Sequence, residues 1–183
     1  MIPVTPEISV RPLQPDENEV VGSAVNGILS STPYSMPMDA AMLHTQLYQP
    51  NPPTIYPVRM QRHARLCAWR AGRLEGFLDA AVGLDSDSLR LPDYQPFGLI
   101  RFLILPTKVE LVNDVAVALL AAAEQFWRQA GVAHVKAFHM STGYPAFQAG
   151  VGVLPGDWPE HIRVLTTSGY YFVDRFYALR RPL

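Results

Sequence analysis

Leu99-Ile100-Arg101-Phe102-Leu103-Ile104-Leu105-Pro106 is the stretch on which the fold of this chain turns. Six of the seven residues before the proline are apolar. A run this short, closed by a residue that has no N–H and a fixed φ, predicts a central strand covered on both faces. Downstream, Val112, Val115, Ala116, Leu119, Ala123 and Phe126 recur at helical spacing and predict a helix from about Asn113 to Ala130. Gly131 follows as its C′ residue, and Ala133 to Met140 reads as the next strand. Upstream, Arg65 to Arg70 and Arg73 to Leu84 flank Ala71-Gly72 and predict a tight hairpin. Asp85-Ser86-Asp87-Ser88 then turns the chain toward the central strand.

The two ends complete the order. Glu7 to Arg11 reads as a short strand, with Ile8 and Val10 alternating with polar neighbours. Asp16 is a candidate N-cap for a helix running to about Ser30. A second helix is predicted from about Met38 to Tyr48, stopped by Gln49-Pro50-Asn51-Pro52-Pro53. Asp157-Trp158-Pro159-Glu160 predicts a last helix, with Asp157 capping, which ends at Gly169. Tyr170 to Arg175 and Phe176 to Arg181 read as two closing strands. The order is β-α-α-β-β-β-α-β-α-β-β, expected as one domain over 1–183.

Composition narrows the function classes. The chain has 183 residues, 49% of them apolar and 17% charged, which is too apolar for a disordered protein. Fifteen basic and sixteen acidic residues leave a net charge of -1, without the basic excess of a general nucleic-acid binder. No stretch approaches the ~18 consecutive apolar residues of a membrane span. Met1-Ile2-Pro3-Val4-Thr5-Pro6 has neither the basic nor the apolar region of a secretory leader, so a cytoplasmic protein is expected. The single cysteine, Cys67, excludes an internal disulfide and reads as a buried thiol or, less simply, a nucleophile. His44, His63, His134 and His161 show no metal-ligand spacing, and no metal is expected.

Three segments carry a family resemblance: Leu99 to Pro106, Ala118-Leu119-Leu120 through Ala130-Gly131-Val132, and Leu165-Thr166-Thr167-Ser168-Gly169-Tyr170. With the element order they resemble the GCN5-related N-acetyltransferase (GNAT) superfamily over nearly the whole chain. The resemblance implies a mixed α+β fold, with a central mixed sheet of about seven strands flanked by about four helices. It also implies acetyl-CoA as cosubstrate, with coenzyme A as product, held in a V-shaped cleft between the fourth and fifth strands. The matching positions are Leu103, Ile104 and Leu105 for the pantetheine arm. Leu111, Val112, Asn113, Asp114, Val115 and Ala116 match the pyrophosphate loop. The family loop reads Arg or Gln, two residues, Gly, one residue, then Gly or Ala. Here only Ala116 fits: Leu111 replaces the basic residue and Asp114 the first glycine, and a carboxylate there repels a pyrophosphate.

Acyl transfer to an amine needs a neutral nucleophile, a donor to the thioester oxygen and a proton for the departing thiolate. The tyrosine that relatives use as acid falls on Leu165 or Val164, and Gly98 to Leu105 holds no carboxylate base. The substitutes are Tyr144 as acid, His139 at the end of its strand, and Asp79 within Leu78-Asp79-Ala80-Ala81. Each has a plain structural alternative: a packed loop anchor for Tyr144, a solvent-facing strand end for His139, and a water-facing position on an alternating strand for Asp79. Tyr34, Met36, Met38 and Met42 would line an acceptor pocket or belong to the core. The expected activity is N-acetyl transfer to a small-molecule or protein amine, with no nucleic acid or membrane partner. Homodimerisation through the closing strands, Phe172 or Phe176 is open. The alternative is a non-catalytic protein on the same fold that binds another ligand or partner.

Overall fold

A computed structural model of the chain describes residues 7–32, 35–48, 59–84, 95–139 and 153–173. Five strands, β1 (Ser9–Pro12), β2 (Arg59–Arg70), β3 (Arg73–Leu84), β4 (Phe97–Ile104) and β5 (Val135–Ala137), form one sheet in the order β1-β2-β3-β4-β5. The helices are α1 (Asn18–Ser30), α2 (Ala40–Tyr48), α3 (Val109–Gln129) and α4 (Pro159–Thr167), with a 3-10 turn at Pro15–Glu17 leading into α1. The first three strand pairs are antiparallel and β4–β5 is parallel, joined through α3. The fold is therefore mixed α+β. The described sheet has five strands where about seven were expected. Tyr170 to Val173 adopt no strand, and the rest of the two closing segments lies outside the described residues.

The β2–β3 hairpin turns on Ala71 and Gly72, with φ of +48° and +75°. Two left-handed residues in a two-residue loop match the twist of the flanking strands. β3 is buried from Gly76 to Gly83 and β4 along its whole length, as expected for strands covered on both faces. α3 lays Leu111, Val112, Val115, Ala116, Leu119, Leu120, Ala123 and Trp127 on the sheet. The Trp127 indole N–H donates to the Ala81 carbonyl at 3.0 Å, so this buried ring has its polar atom satisfied. Cys67 is fully buried, and desolvation pushes its thiol up to about 12.

Several boundaries differ from the sequence expectation. β2 begins at Arg59 rather than Arg65, because Arg59–Ala64 pair with the apolar end of β3 from Ala80 to Leu84. α3 begins at Val109 rather than Asn113: Lys108 is extended at the N-cap and Glu110 supplies the first-turn acid. In α4 the N-cap is Trp158, not Asp157, and Glu160 pairs with Arg163 instead of closing a capping box. Among the described residues no helix is long and apolar enough to cross a membrane.

Candidate active site: the opening between β4 and β5

Among the described residues β4 and β5 run together for three residue pairs, Gly98 with Val135, Leu99 with Lys136 and Ile100 with Ala137. The Phe138 N–H donates to the Ile100 carbonyl at 2.9 Å, and Phe138 then takes a φ of +51° and leaves the sheet. β4 continues to Ile104. On its other side the register slips: Ala80 faces Ile100 but Asp79 faces Phe102, so Arg101 is the extra residue of a β-bulge. A bulge bends its strand and sharpens the local twist, which suits the point where two strands part.

Arg101 and Asp79 are both fully buried. Arg101 Nη1 donates to Asp79 Oδ2 at 2.9 Å and to the Gln46 carbonyl at 3.1 Å, and Nη2 donates to Gln46 Oε1 at 3.1 Å. One guanidinium thus ties β3, the bulge of β4 and α2 together. Asp79 does not face water; alternation alone placed it there, but α2 covers that face of the sheet.

Past the bulge, α4 takes the place beside β4. His161 Nε2 lies 3.1 Å from the Leu103 carbonyl. A carbonyl oxygen only accepts, so Nε2 carries the proton and the neutral ring is the Nε2–H tautomer. Burial drives the His161 pKa down to about 4, with the Leu103 contact and Glu160 opposing that shift. The ring packs on Trp158 at 4.8 Å between centroids. Trp158 meets Phe102 and Phe138 edge-on, at 6.1 and 6.4 Å, and its indole N–H donates to Thr32 Oγ1 at 2.7 Å. One aromatic from β4, one from the exit of β5 and two from α4 therefore meet in the opening.

The residues assigned from sequence are distributed as follows. Leu103, Ile104 and Leu105 line the far end of β4 and are buried. Leu111 to Ala116 lie on the first turns of α3 rather than on a loop, because the connection from β4 is only Leu105 to Lys108. Leu111, Val112, Val115 and Ala116 point into the core, while Asn113 and Asp114 are exposed. Asn113 accepts from Arg163 of α4 at 2.9 Å. Leu111, Asn113 and Asp114 also line a surface cavity of about 550 Å³ together with Glu7 and Arg70. His139 is half-buried, 6.2 Å from the Phe97 ring. Tyr144 lies outside the described residues. No group of three or more potential ligands for a metal occurs among the described residues.

Sequence reasoning missed Arg101, Trp158 and His161 as parts of the site. Arg101 and Asp79 each carried a signal, a lone charge in an apolar strand, and two such charges of opposite sign invite pairing. Trp158 and His161 stand three apart at a helix start, spacing that places both on one side.

No family model and no curated protein matches the sequence. Solved structures do. The aminoglycoside N-acetyltransferase AAC(6')-Iy in complex with CoA is 13% identical at a TM-score of 0.61, over 100% of both chains. The same enzyme with the bisubstrate analogue CoA-S-monomethyl-acetylneamine is 15% identical at 0.55, over 97% of this chain and 99% of that one. A GCN5-related glucosamine N-acetyltransferase region of a fungal multi-domain GH3 β-N-acetylglucosaminidase is 15% identical at 0.66. That match covers 94% of this chain and 18% of the fungal one. The chain has the GNAT acetyltransferase fold.

Proposed function

We propose that this chain is an acetyl-CoA-dependent N-acetyltransferase of a small-molecule amine, with the β4–β5 opening as its cosubstrate slot. One observation carries the reading: among the described residues parallel pairing stops at Ile100 and Ala137 while β4 runs on to Ile104. An extended amide chain can add to such an edge as a further strand, through main-chain hydrogen bonds. The fold likeness to structures solved with CoA supports it.

In this reading the backbone of Leu103, Ile104 and Leu105 holds the pantetheine amides. The pyrophosphate rests at the start of α3, where the amides have no partner within the helix and the dipole favours an anion. Of Leu111 to Ala116 only Leu111 belongs to that end, and its N–H already bonds the Lys108 carbonyl at 3.0 Å. The anchoring therefore falls mainly to Lys108, Val109 and Glu110, with the Lys108 side chain as the matching charge. The amine attacks the thioester carbonyl, and the coenzyme A thiolate leaves with a proton. Tyr144 is the proposed acid for that thiolate and His139 the proposed carrier of the amine proton. Asp79, held by Arg101, keeps the bulge in place.

The test is thermal unfolding with and without acetyl-CoA. At one hundred times Kd a ligand that binds only the folded state adds about 2.7 kcal/mol, a rise in Tm of roughly 5–10 °C for a chain this size. No rise at millimolar acetyl-CoA sinks the proposal. A second reading, a non-catalytic binding protein on the same fold, draws on the His161–Leu103 bond that already occupies the edge. A Tm rise with no thiol release in the presence of small amines identifies that case.

A further inference from the structure

We infer that the first turn of α4 is a built-in plug, which must leave the opening before an amide-bearing ligand can pair with β4. The inference rests on the reading of that opening as a cosubstrate slot and adds how access to it is controlled.

A ligand that pairs with β4 as an extra strand needs the Leu103 carbonyl as an acceptor. His161 holds it through an N–H donor of the same kind as the ligand's own amide. The carbonyl has two lone pairs, so the exclusion is steric: the buried imidazole at 3.1 Å stands where a ligand strand would lie. The ring is only 5% exposed, so the position is occupied and sealed rather than lightly visited.

The seal is tied at three places. Trp158 covers His161, its indole N–H holds Thr32 just past the end of α1, and its edges meet Phe102 of β4 and Phe138 at the exit of β5. All the plugging atoms of α4 come from Trp158 to His161, a single helical turn at its start. Beyond that turn α4 is held separately: Val164 and Leu165 are buried in the core, and Arg163 donates to Asn113 of α3. Movement of that one turn would clear the carbonyl and the aromatic cluster together, and would release Thr32. Ligand entry is thereby linked to the end of α1.

The free chain then populates a closed state, and the apparent dissociation constant exceeds the intrinsic one by the inverse of the open fraction. Removing the plug removes that penalty. Titration calorimetry with acetyl-CoA on the wild type, His161→Ala and Trp158→Phe tests this. His161→Ala is expected to bind at least tenfold tighter than wild type, and Trp158→Phe, which loses the Thr32 bond and part of the indole packing, several-fold tighter. Equal or weaker binding by both variants, with the wild type binding, overturns the plug and leaves the slot standing. No binding by any of the three at millimolar ligand overturns the slot itself. Nitrogen-15 spectra of histidine in the wild type decide the matter should the variants not fold. The hydrogen-bonded Nε2–H signal of His161 is expected to be lost at saturating acetyl-CoA, and its persistence in the bound protein overturns the plug.

Discussion

Arg101→Met is expected to lower the folding free energy by about 3–5 kcal/mol, the range for removing one partner of a buried ion pair. Methionine keeps much of the arginine volume, so the loss is electrostatic rather than a packing void. It leaves the Asp79 carboxylate in a site with no solvent access, and strips two hydrogen bonds from Gln46. Asp79→Leu combined with Arg101→Met removes both charges, and is expected to return most of the stability, because apolar replacement of a whole buried pair is often neutral. Urea unfolding of the wild type, Asp79→Leu, Arg101→Met and the double variant gives the cycle. A loss under 1 kcal/mol for Arg101→Met would show that the pair does not hold the bulge.

The second large effect concerns pH. His161 is neutral and buried in the folded chain, with its pKa driven from 6.5 down to about 4. Between those values the unfolded chain binds a proton that the folded one excludes, so stability rises with pH across the window. The contribution is fully present above pH 6.5 and is lost as pH falls toward 4. It amounts to about 3 kcal/mol at 1.36 kcal/mol per unit. His161→Phe fills the space without titrating, so its stability should stay flatter over the same range. Urea midpoints measured at steps from pH 7.5 to 4 for both proteins check this, and parallel curves would show that His161 is accessible to protons when folded.

Much of the fold is written in apolar spacing. β3 falls on the limits its sequence predicted, and β4 is buried throughout, because both are covered on two faces and read as nearly unbroken apolar runs. β2 is less legible. Arg59, Gln61, Arg62 and His63 are polar, and only their pairing with the apolar end of β3 makes them a strand. The start of α3 misleads for a local reason. Asn113 and Asp114 look like a cap and a first-turn acid, yet Leu111 and Val112 continue the buried stripe one turn back from Val115 and Ala116, behind an exposed Val109. The candidate site is harder still. The partner of His161 is a main-chain oxygen, which leaves no mark in the sequence. The pairing of Arg101 with Asp79 depends on a register slip that neither strand reveals alone.

The sheet order also sets a timetable for assembly. The β2–β3 hairpin closes over two residues and needs almost no search, so it is the natural seed on which β4 and α3 condense. β1 is the reverse case: Ser9 meets Trp69 across sixty positions of chain. That long closure makes it the strand expected to dock last and to let go first. Amide exchange at Ser9, Val10 and Arg11 should accordingly be the fastest in the antiparallel part of the sheet, opening at a fraction of the free energy needed to separate β2 from β3.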